Sequence, residues 1–166
     1  RLNCHIKSGE ATFDILGMAA TDFPEMPSVS DGEKIFLDGK LLAENVKGTI
    51  FAAAQNEGAR AILTGLNFSF SGEEMQLVAI DGYRLAIRRE KMEFPTPFNF
   101  TVSGKAVGEA ARIIGEGTED VEIFYTERLI CFNINGYSFI SKLLEGEFVN
   151  YKKTIPSEST QRVVIN

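Results

Sequence analysis

The chain has 166 residues, 44% of them hydrophobic and 24% charged, which is enough to bury one sizeable core and too few for two ordinary domains. Its formal charge of -6 excludes a uniformly basic nucleic-acid binder, because counterion release from phosphates needs a cationic surface. Any such role has to be local. No apolar stretch approaches the roughly eighteen residues of a membrane span, and the first residues alternate apolar and polar instead of reading as a secretion signal, so a soluble, untargeted protein is expected. Thirteen Phe and no Trp, set in short runs bounded by Gly, Asn and Asp, favour a strand-rich fold.

In chain order, strands are expected at Leu2 to Lys7 and Ala11 to Leu16, about a Ser8-Gly9-Glu10 turn. The run opens without methionine in mid-alternation and the chain closes on Val163, Val164 and Ile165, so both ends read as cuts through a longer protein. Phe23 to Glu33, with Pro24 and Pro27, has linker chemistry and puts a boundary near residue 30. A short strand at Lys34 to Leu37 then precedes an amphipathic helix at Lys40 to Gln55, with Leu42, Val46 and Ala53 on one face. Strands follow at Ala61 to Phe70, Met75 to Ile80 and Tyr83 to Arg89. Asp81-Gly82 between the last two suits a tight primed turn with positive φ at both positions. After Pro95 and Pro97 the same order returns: strand Phe98 to Val102, helix Lys105 to Ile114, and strands Val121 to Tyr125, Leu129 to Ile134 and Tyr137 to Leu143, the last pair joined by Asn135-Gly136.

A β-α-β-β-β unit therefore occurs twice. Gly39 to Lys47 and Gly104 to Arg112 share Gly, Lys, Glu and a final basic residue at equal spacing, and both halves reach an Asp/Asn-Gly-Tyr turn. Together these imply an α+β domain with pseudo-twofold symmetry. Residues seven apart on a helix advance about 700°, close to two full turns. Lys40 and Lys47 therefore fall on one line, and so do Lys105 and Arg112. Two such stripes can follow a phosphate backbone without reading bases; equally, Glu44 and Glu109 make them ordinary solvated faces. Ile80 to Leu85 reads either as a plain hairpin or as one wall of a peptide pocket, with an apolar floor and a guanidinium to fix polar groups.

Catalysis has little support. His5 is the single histidine, Cys4 beside it offers no metal-ligand spacing, and no phosphate loop or nucleophile elbow occurs. Glu73-Glu74 and Glu119-Asp120 fall at turns. Cys4 and Cys131, far apart in apolar runs, suit buried reduced thiols of a cytoplasmic protein, with a single bridge left open. A β-rich ligand-binding module unrelated to DNA fits the same composition.

FPEMP at Phe23 to Pro27, ILTGLNFSF at Ile62 to Phe70, LVAIDGYRLAI at Leu77 to Ile87 and SKLLEGEFVNYKKTIP at Ser141 to Pro156 stand in an order and spacing that resemble the bacterial DNA sliding clamps, the beta subunits of the replicative DNA polymerase. The resemblance implies the clamp fold: two β-α-β-β-β units, helices on one face and antiparallel sheets outside. It implies residues 1–30 as the end of a first domain, 31–158 as a complete middle domain and 159–166 as the first strand of a third. It further implies a non-catalytic processivity factor without cofactor or metal, a head-to-tail homodimeric ring around duplex DNA. Lys40, Lys47, Lys105 and Arg112 would then face DNA. Leu63, Ile80, Gly82, Tyr83, Arg84, Leu85, Val149, Lys153 and Thr154 would form one side of a pocket for short peptide motifs of polymerases, the clamp loader and repair proteins. Ile80 stands where the family commonly has Thr, and Val149 where it commonly has Pro; both keep the site apolar.

Overall fold

The computed structural model describes residues 2–29, 31–55, 58, 60–115, 118–156, 161 and 163; most of the strand expected at 159–166 lies outside them. Strands β1 (Asn3–Ser8) and β2 (Ala11–Leu16) form an antiparallel ribbon about Gly9, whose φ of +60° suits a glycine-led turn. Every residue of both strands is exposed. Cys4 is therefore an exposed thiol, contrary to the expectation of burial, while Cys131 is buried, and both are free.

The remaining elements follow the duplicated order. The first unit contains β3 (Glu33–Asp38), α1 (Gly39–Lys47), β4 (Gly65–Ser71), β5 (Glu74–Ile80) and β6 (Leu85–Lys91). The second contains β7 (Phe98–Ser103), α2 (Gly104–Ile113), β8 (Asp120–Tyr125), β9 (Leu129–Ile134) and β10 (Tyr137–Lys142). The units exchange their first strands. One antiparallel sheet runs β10-β9-β8-β3 and the other β6-β5-β4-β7, so β3 pairs with β8 and β7 pairs with β4.

This exchange explains the repeated Gly-Lys. Each first strand passes into its helix without a loop, so the helix N-terminus lies against the opening of the other unit's second strand. At Gly39 the N–H donates to Glu119 O at 2.7 Å, and a Cβ would meet the Thr118 side chain at 2.9 Å. At Gly104 a Cβ would stand 2.9 Å from Thr64 O. Side chains do not fit at either place.

Three expectations are corrected. The first helix ends at Lys47 rather than Gln55: Gly48 donates to Glu44 O, the Thr49 hydroxyl donates to Asn45 O at 2.7 Å, and the chain turns through a 3₁₀ segment at Ile50–Ala52. The strand expected from Ala61 begins at Gly65, after a 3₁₀ turn at Ala61–Thr64. The two Asx-Gly turns differ. Asn135 (φ 48°) and Gly136 (φ 82°) form the two-residue primed turn, but Asp81 does not take positive φ, and residues 81–84 make a longer loop before Leu85.

Between the helix pair and the two sheets lies one core. Leu42 and Val46 from α1 and Val107, Ala110 and Ala111 from α2 meet Leu66, Phe68, Phe70, Leu77, Val121, Ile123, Phe132 and Ile134 from the sheets. Phe70 stacks on Phe98 at 4.3 Å between ring centres, and Phe98 stacks on Tyr125 of the other sheet at 4.7 Å. Phe70 is fully buried, which contributes about 1.5–3 kcal/mol, while Phe98 and Tyr125 are half-buried against the core.

Packing closes on three sides at Gly65, where a Cβ would stand 2.6 Å from Leu144 Cδ1, 2.7 Å from Thr101 Cγ2 and 2.7 Å from Val102 O. Gly65→Ala is expected to lower unfolding free energy by about 1–3 kcal/mol, the usual cost of overpacking. Gly115→Ala, with open space around it, is expected to leave stability unchanged; denaturant titration of both variants measures the difference.

Candidate functional site

Packing α1 and α2 side by side leaves the polar stripe of each helix in solvent. Lys40, Glu44 and Lys47 are exposed on α1, and Lys105, Glu109 and Arg112 on α2. Each helix thus shows two cations and one acid. Asp38 caps α1, its carboxylate accepting from Leu41 N at 2.6 Å, and Lys47 and Arg112 occupy the last turns, where positive charge complements the helix dipole. Arg112 pairs with Glu109 at 2.8 Å, but both side chains are mostly exposed, so the pair stabilises little and Arg112 stays available.

Two cavities flank this surface in pseudo-equivalent places, each where one helix's N-terminus meets the segment leaving the other. One, of about 720 Å³, is lined by Ile50, Phe51, Ala53, Thr64, Gly104 and Lys105 among others. Its counterpart, of about 660 Å³, is lined by Asp38, Lys40, Glu44, Lys47, Ile114 and Glu119 among others. Acids interleave with the lysines there. Among the described residues no group of His, Cys, Asp or Glu could hold a metal ion.

The second set of expected site residues collects on the outer face of the β6-β5-β4-β7 sheet. Strand alternation puts Gln76, Val78 and Ile80 of β5 on that face, and Ile80 pairs with Leu85 across β5 and β6. Asn67 of β4 pairs with Val78, so Gly65 and the preceding half-buried Leu63 lie at the Ile80 end of the sheet. Leu63 is held by its C=O, which accepts from Ala54 N at 2.9 Å, and its N–H, which donates to Arg60 O at 2.8 Å. Leu63, Ile80 and Leu85 thus form an apolar patch at one end of the sheet.

The loop beside this patch is organised by Asp81. Its Oδ1 accepts from Tyr83 N at 3.0 Å and Arg84 N at 3.1 Å, and its Oδ2 accepts from Arg84 Nε at 2.9 Å. Those donors, the Tyr83 N–H foremost, hold the Asp81 carboxyl below its ordinary range. Gly82 supplies φ of +93°, and Tyr83 is thrust wholly into solvent at 100% exposure. It does not start the strand that the sequence pattern suggested; Asp81 N still donates to Arg84 O at 3.3 Å, and the Asp81 carboxylate takes up the amides of Tyr83 and Arg84 within that loop. Asp81 was absent from the expected site, although an Asp two and three residues before the amides it binds is the signature of an Asx turn.

Beyond β10 the chain crosses to this same outer face. Leu143 bridges Val102, and Leu144 N donates to Thr101 O at 2.8 Å. The strap then reaches a 3₁₀ turn at Tyr151–Thr154. Tyr151 is buried, and its hydroxyl donates to Gln76 Oε1 at 2.6 Å, anchoring the strap four residues along β5 from Ile80, a span of about 13 Å. Burial pushes the Tyr151 phenol up from its ordinary value. Val149 is half-buried and Lys153 and Thr154 are exposed, with the Thr154 hydroxyl on Tyr151 O at 2.6 Å. The nine expected residues thus lie on or beside one outer sheet face, and none lines either helix-side cavity.

On the other sheet the incoming chain reaches the corresponding outer face at one place, and Phe36 of that face remains 57% exposed. Val29, buried, closes a cavity of about 250 Å³ with Phe124, Cys131, Asn133, Ser138 and Ile140. Burial, then the Glu122 charge, pushes the Cys131 thiol up, which leaves it protonated and unreactive. Glu122 is itself held low by Lys34 and Asn133.

Residues 36–150 match the family described as DNA polymerase III beta subunit, central domain. The relative named Beta sliding clamp from Bacillus subtilis is 31% identical over 163 residues, covering 97% of this chain and 43% of the relative. That from Staphylococcus epidermidis is 32% identical over 162 residues, with the same two shares. Among solved structures, the DNA polymerase sliding clamp from Bacillus subtilis superposes with a TM-score of 0.83 at 31% identity over 95% of this chain and 42% of that one. The DNA polymerase III beta subunit from Thermotoga maritima gives 0.78 at 30% identity, over 93% and 42%. The duplicated, strand-exchanged fold is thus the clamp fold, and the chain belongs to the DNA polymerase III beta subunit family through its central domain. It spans less than half the length of the curated relatives it matches. The alternative of a β-rich module unrelated to that family is set aside.

Because Asp81 titrates below its ordinary value, what its carboxylate adds to loop order is complete at neutral pH and is lost as pH falls through that depressed value. An NMR titration is expected to place the Asp81 midpoint below the usual carboxylate value. Arg84→Ala is expected to raise that midpoint without restoring it, since the Tyr83 N–H remains. A parent midpoint at the ordinary value would show that these bonds do not persist in solution.

Proposed function

We propose that this chain is the middle sector of a processivity factor, a ring that encircles duplex DNA without reading its sequence and tethers the replicative polymerase. The observation that carries the reading is the match to proteins named Beta sliding clamp across 97% of the chain. In this reading residues 1–30 end a first domain, 31–158 form the middle domain and 159–166 open a third. Two copies of the longer protein close head to tail. The ring works in the cytoplasm on the nucleoid, without catalysis and without cofactor. No helix among the described residues is long and apolar enough to cross a membrane.

Lys40, Lys47, Lys105 and Arg112 line the hole. Their support is exposure on one helix layer, two on each packed helix, with charge spread thinly enough for weak, mobile attraction to phosphates. The net charge of -6 does not oppose this, since a ring held by topology needs a cationic lining and not a cationic whole. In the full-length protein, combined Lys47→Glu, Lys105→Glu and Arg112→Glu is expected to shorten the lifetime on nicked circular duplex several-fold, most strongly at low salt where screening is weakest. An unchanged lifetime at low salt would remove these residues from the lining.

Leu63, Ile80, Gly82, Tyr83, Arg84, Leu85, Val149, Lys153 and Thr154 form the middle-domain wall of a site for short peptide motifs carried by the polymerase, the clamp loader and repair polymerases. The apolar patch at Leu63, Ile80 and Leu85, with a loop presenting a fully exposed aromatic and a guanidinium beside it, has the chemistry of such a wall. The third domain supplies the other wall. Arg84→Ala in the full-length protein is expected to weaken a clamp-binding peptide tenfold or more, about 1.4 kcal/mol upward, as truncation of an interface arginine does. Equal binding by calorimetry would place the site elsewhere.

A further inference from the structure

Arg88 occupies a core-facing register on β6. It follows Ala86, which is buried in the core, by two residues, so strand alternation aims it at the helix layer. Because β6 is the last strand of its sheet, the side chain can leave the core past the sheet edge, and Arg88 is exposed. It does so along the C-terminal end of α1: its Nε and Cδ lie 3.6 and 3.7 Å from where a Gly48 Cβ would be. Its Nε donates to Asn45 Oδ1 at 3.0 Å.

Asn45 is wholly buried, and its Nδ2 has no hydrogen-bond partner among the described residues. A buried amide with one end unsatisfied is destabilising, so this residue is poorly explained as core packing. What its oxygen does is hold an arginine. The holding group is neutral. Arg112 is fixed by a carboxylate, which offsets its charge, whereas Arg88 is fixed by an amide and takes part in none of the ion pairs among the described residues. With Nε occupied, the two Nη groups remain as a planar fork, the geometry that matches a phosphate.

We infer that Arg88 is a phosphate-binding residue of the helix surface, brought beside Lys47 from a β-strand and held ready by Asn45. The inference rests on the DNA-lining reading above and adds a cation that lies on neither helix. Asn45 is a positioning residue in it.

The test measures affinity of the full-length protein for a short linear duplex by fluorescence anisotropy across a salt series. Parent, Arg88→Gln, Arg88→Lys and the Lys47/Lys105/Arg112 charge-reversal variant are compared, with thermal unfolding of each. Removing one cation that neutralises a phosphate makes the slope of log affinity against log salt shallower by roughly 0.9. Arg88→Gln is expected to lose about that much slope and several-fold in low-salt affinity, while Arg88→Lys keeps the parent slope. If the charge-reversal variant loses slope and Arg88→Gln does not, the inference is overturned while the lining stands. If neither loses slope, the lining fails and the inference with it. If Arg88→Gln and Arg88→Lys both melt lower with unchanged slope, Arg88 only caps α1 and the inference is overturned.

Discussion

The exchange of first strands is the constraint on which the rest of this fold depends. With β3 hydrogen-bonded to β8 and β7 to β4, neither β-α-β-β-β unit can complete its sheet alone, so the duplication folds as one body. The exchange also fixes the helices. Each follows its strand directly, so each N-terminus is fastened to the opening of the other unit's second strand, at Glu119 O for Gly39 and beside Thr64 O for Gly104. Two helices held at their starts by opposite halves have to lie side by side on one face. A common polar surface follows from topology before any charge is placed on it.

Much of this was legible in the sequence, because period and turn chemistry are local. The repeated Gly-Lys helices, the ten strands and the Asn135-Gly136 turn all formed. The exchange was not legible, since an alternating strand such as Glu33–Asp38 carries the same pattern whichever partner it pairs with. The early end of α1 was written at Gly48-Thr49, but an apolar run continuing to Ala54 imitates a helical face. Asp81-Gly82 and Asn135-Gly136 look alike and fold differently, because only the first has an arginine three residues on that can share the aspartate with two backbone amides. The Tyr151 to Gln76 bond joins positions 75 residues apart and has no signature in either segment.

The electrostatics of the helix face suit retention without grip. Exposed charges separated by more than about 8–10 Å are screened at cellular salt, so in the proposed reading the lining would act as separate weak attractions. Acids at Glu44 and Glu109 dilute each stripe further. For a ring that must move along phosphates this dilution is functional in the proposed reading, since strong fixed pairs would arrest it. The same reasoning separates the proposed peptide wall, where an exposed aromatic and an arginine lie near apolar side chains and lasting attachment would be needed.

The pseudo-twofold makes the two sheets equivalent, yet their outer faces have different fates, and the difference comes from segments outside the repeat. On the β10-β9-β8-β3 sheet the incoming chain brings Val29 to a cavity beside Cys131 and Phe124, while Phe36 of the same face stays 57% exposed. On the β6-β5-β4-β7 sheet the outgoing strap enters at Thr101, is pressed against Gly65 and is pinned at Gln76. The Asp81–Arg84 loop beside Ile80 and Leu85 stays open to solvent. Related scaffolds thus come to carry different outer faces: Asn67, Val78 and Thr101 are buried on one, and Phe36 is exposed on the other. In the proposed reading the peptide wall lies at the end of the β6-β5-β4-β7 sheet that the outgoing strap leaves open, and the pinning at Tyr151 sets how far that cover reaches.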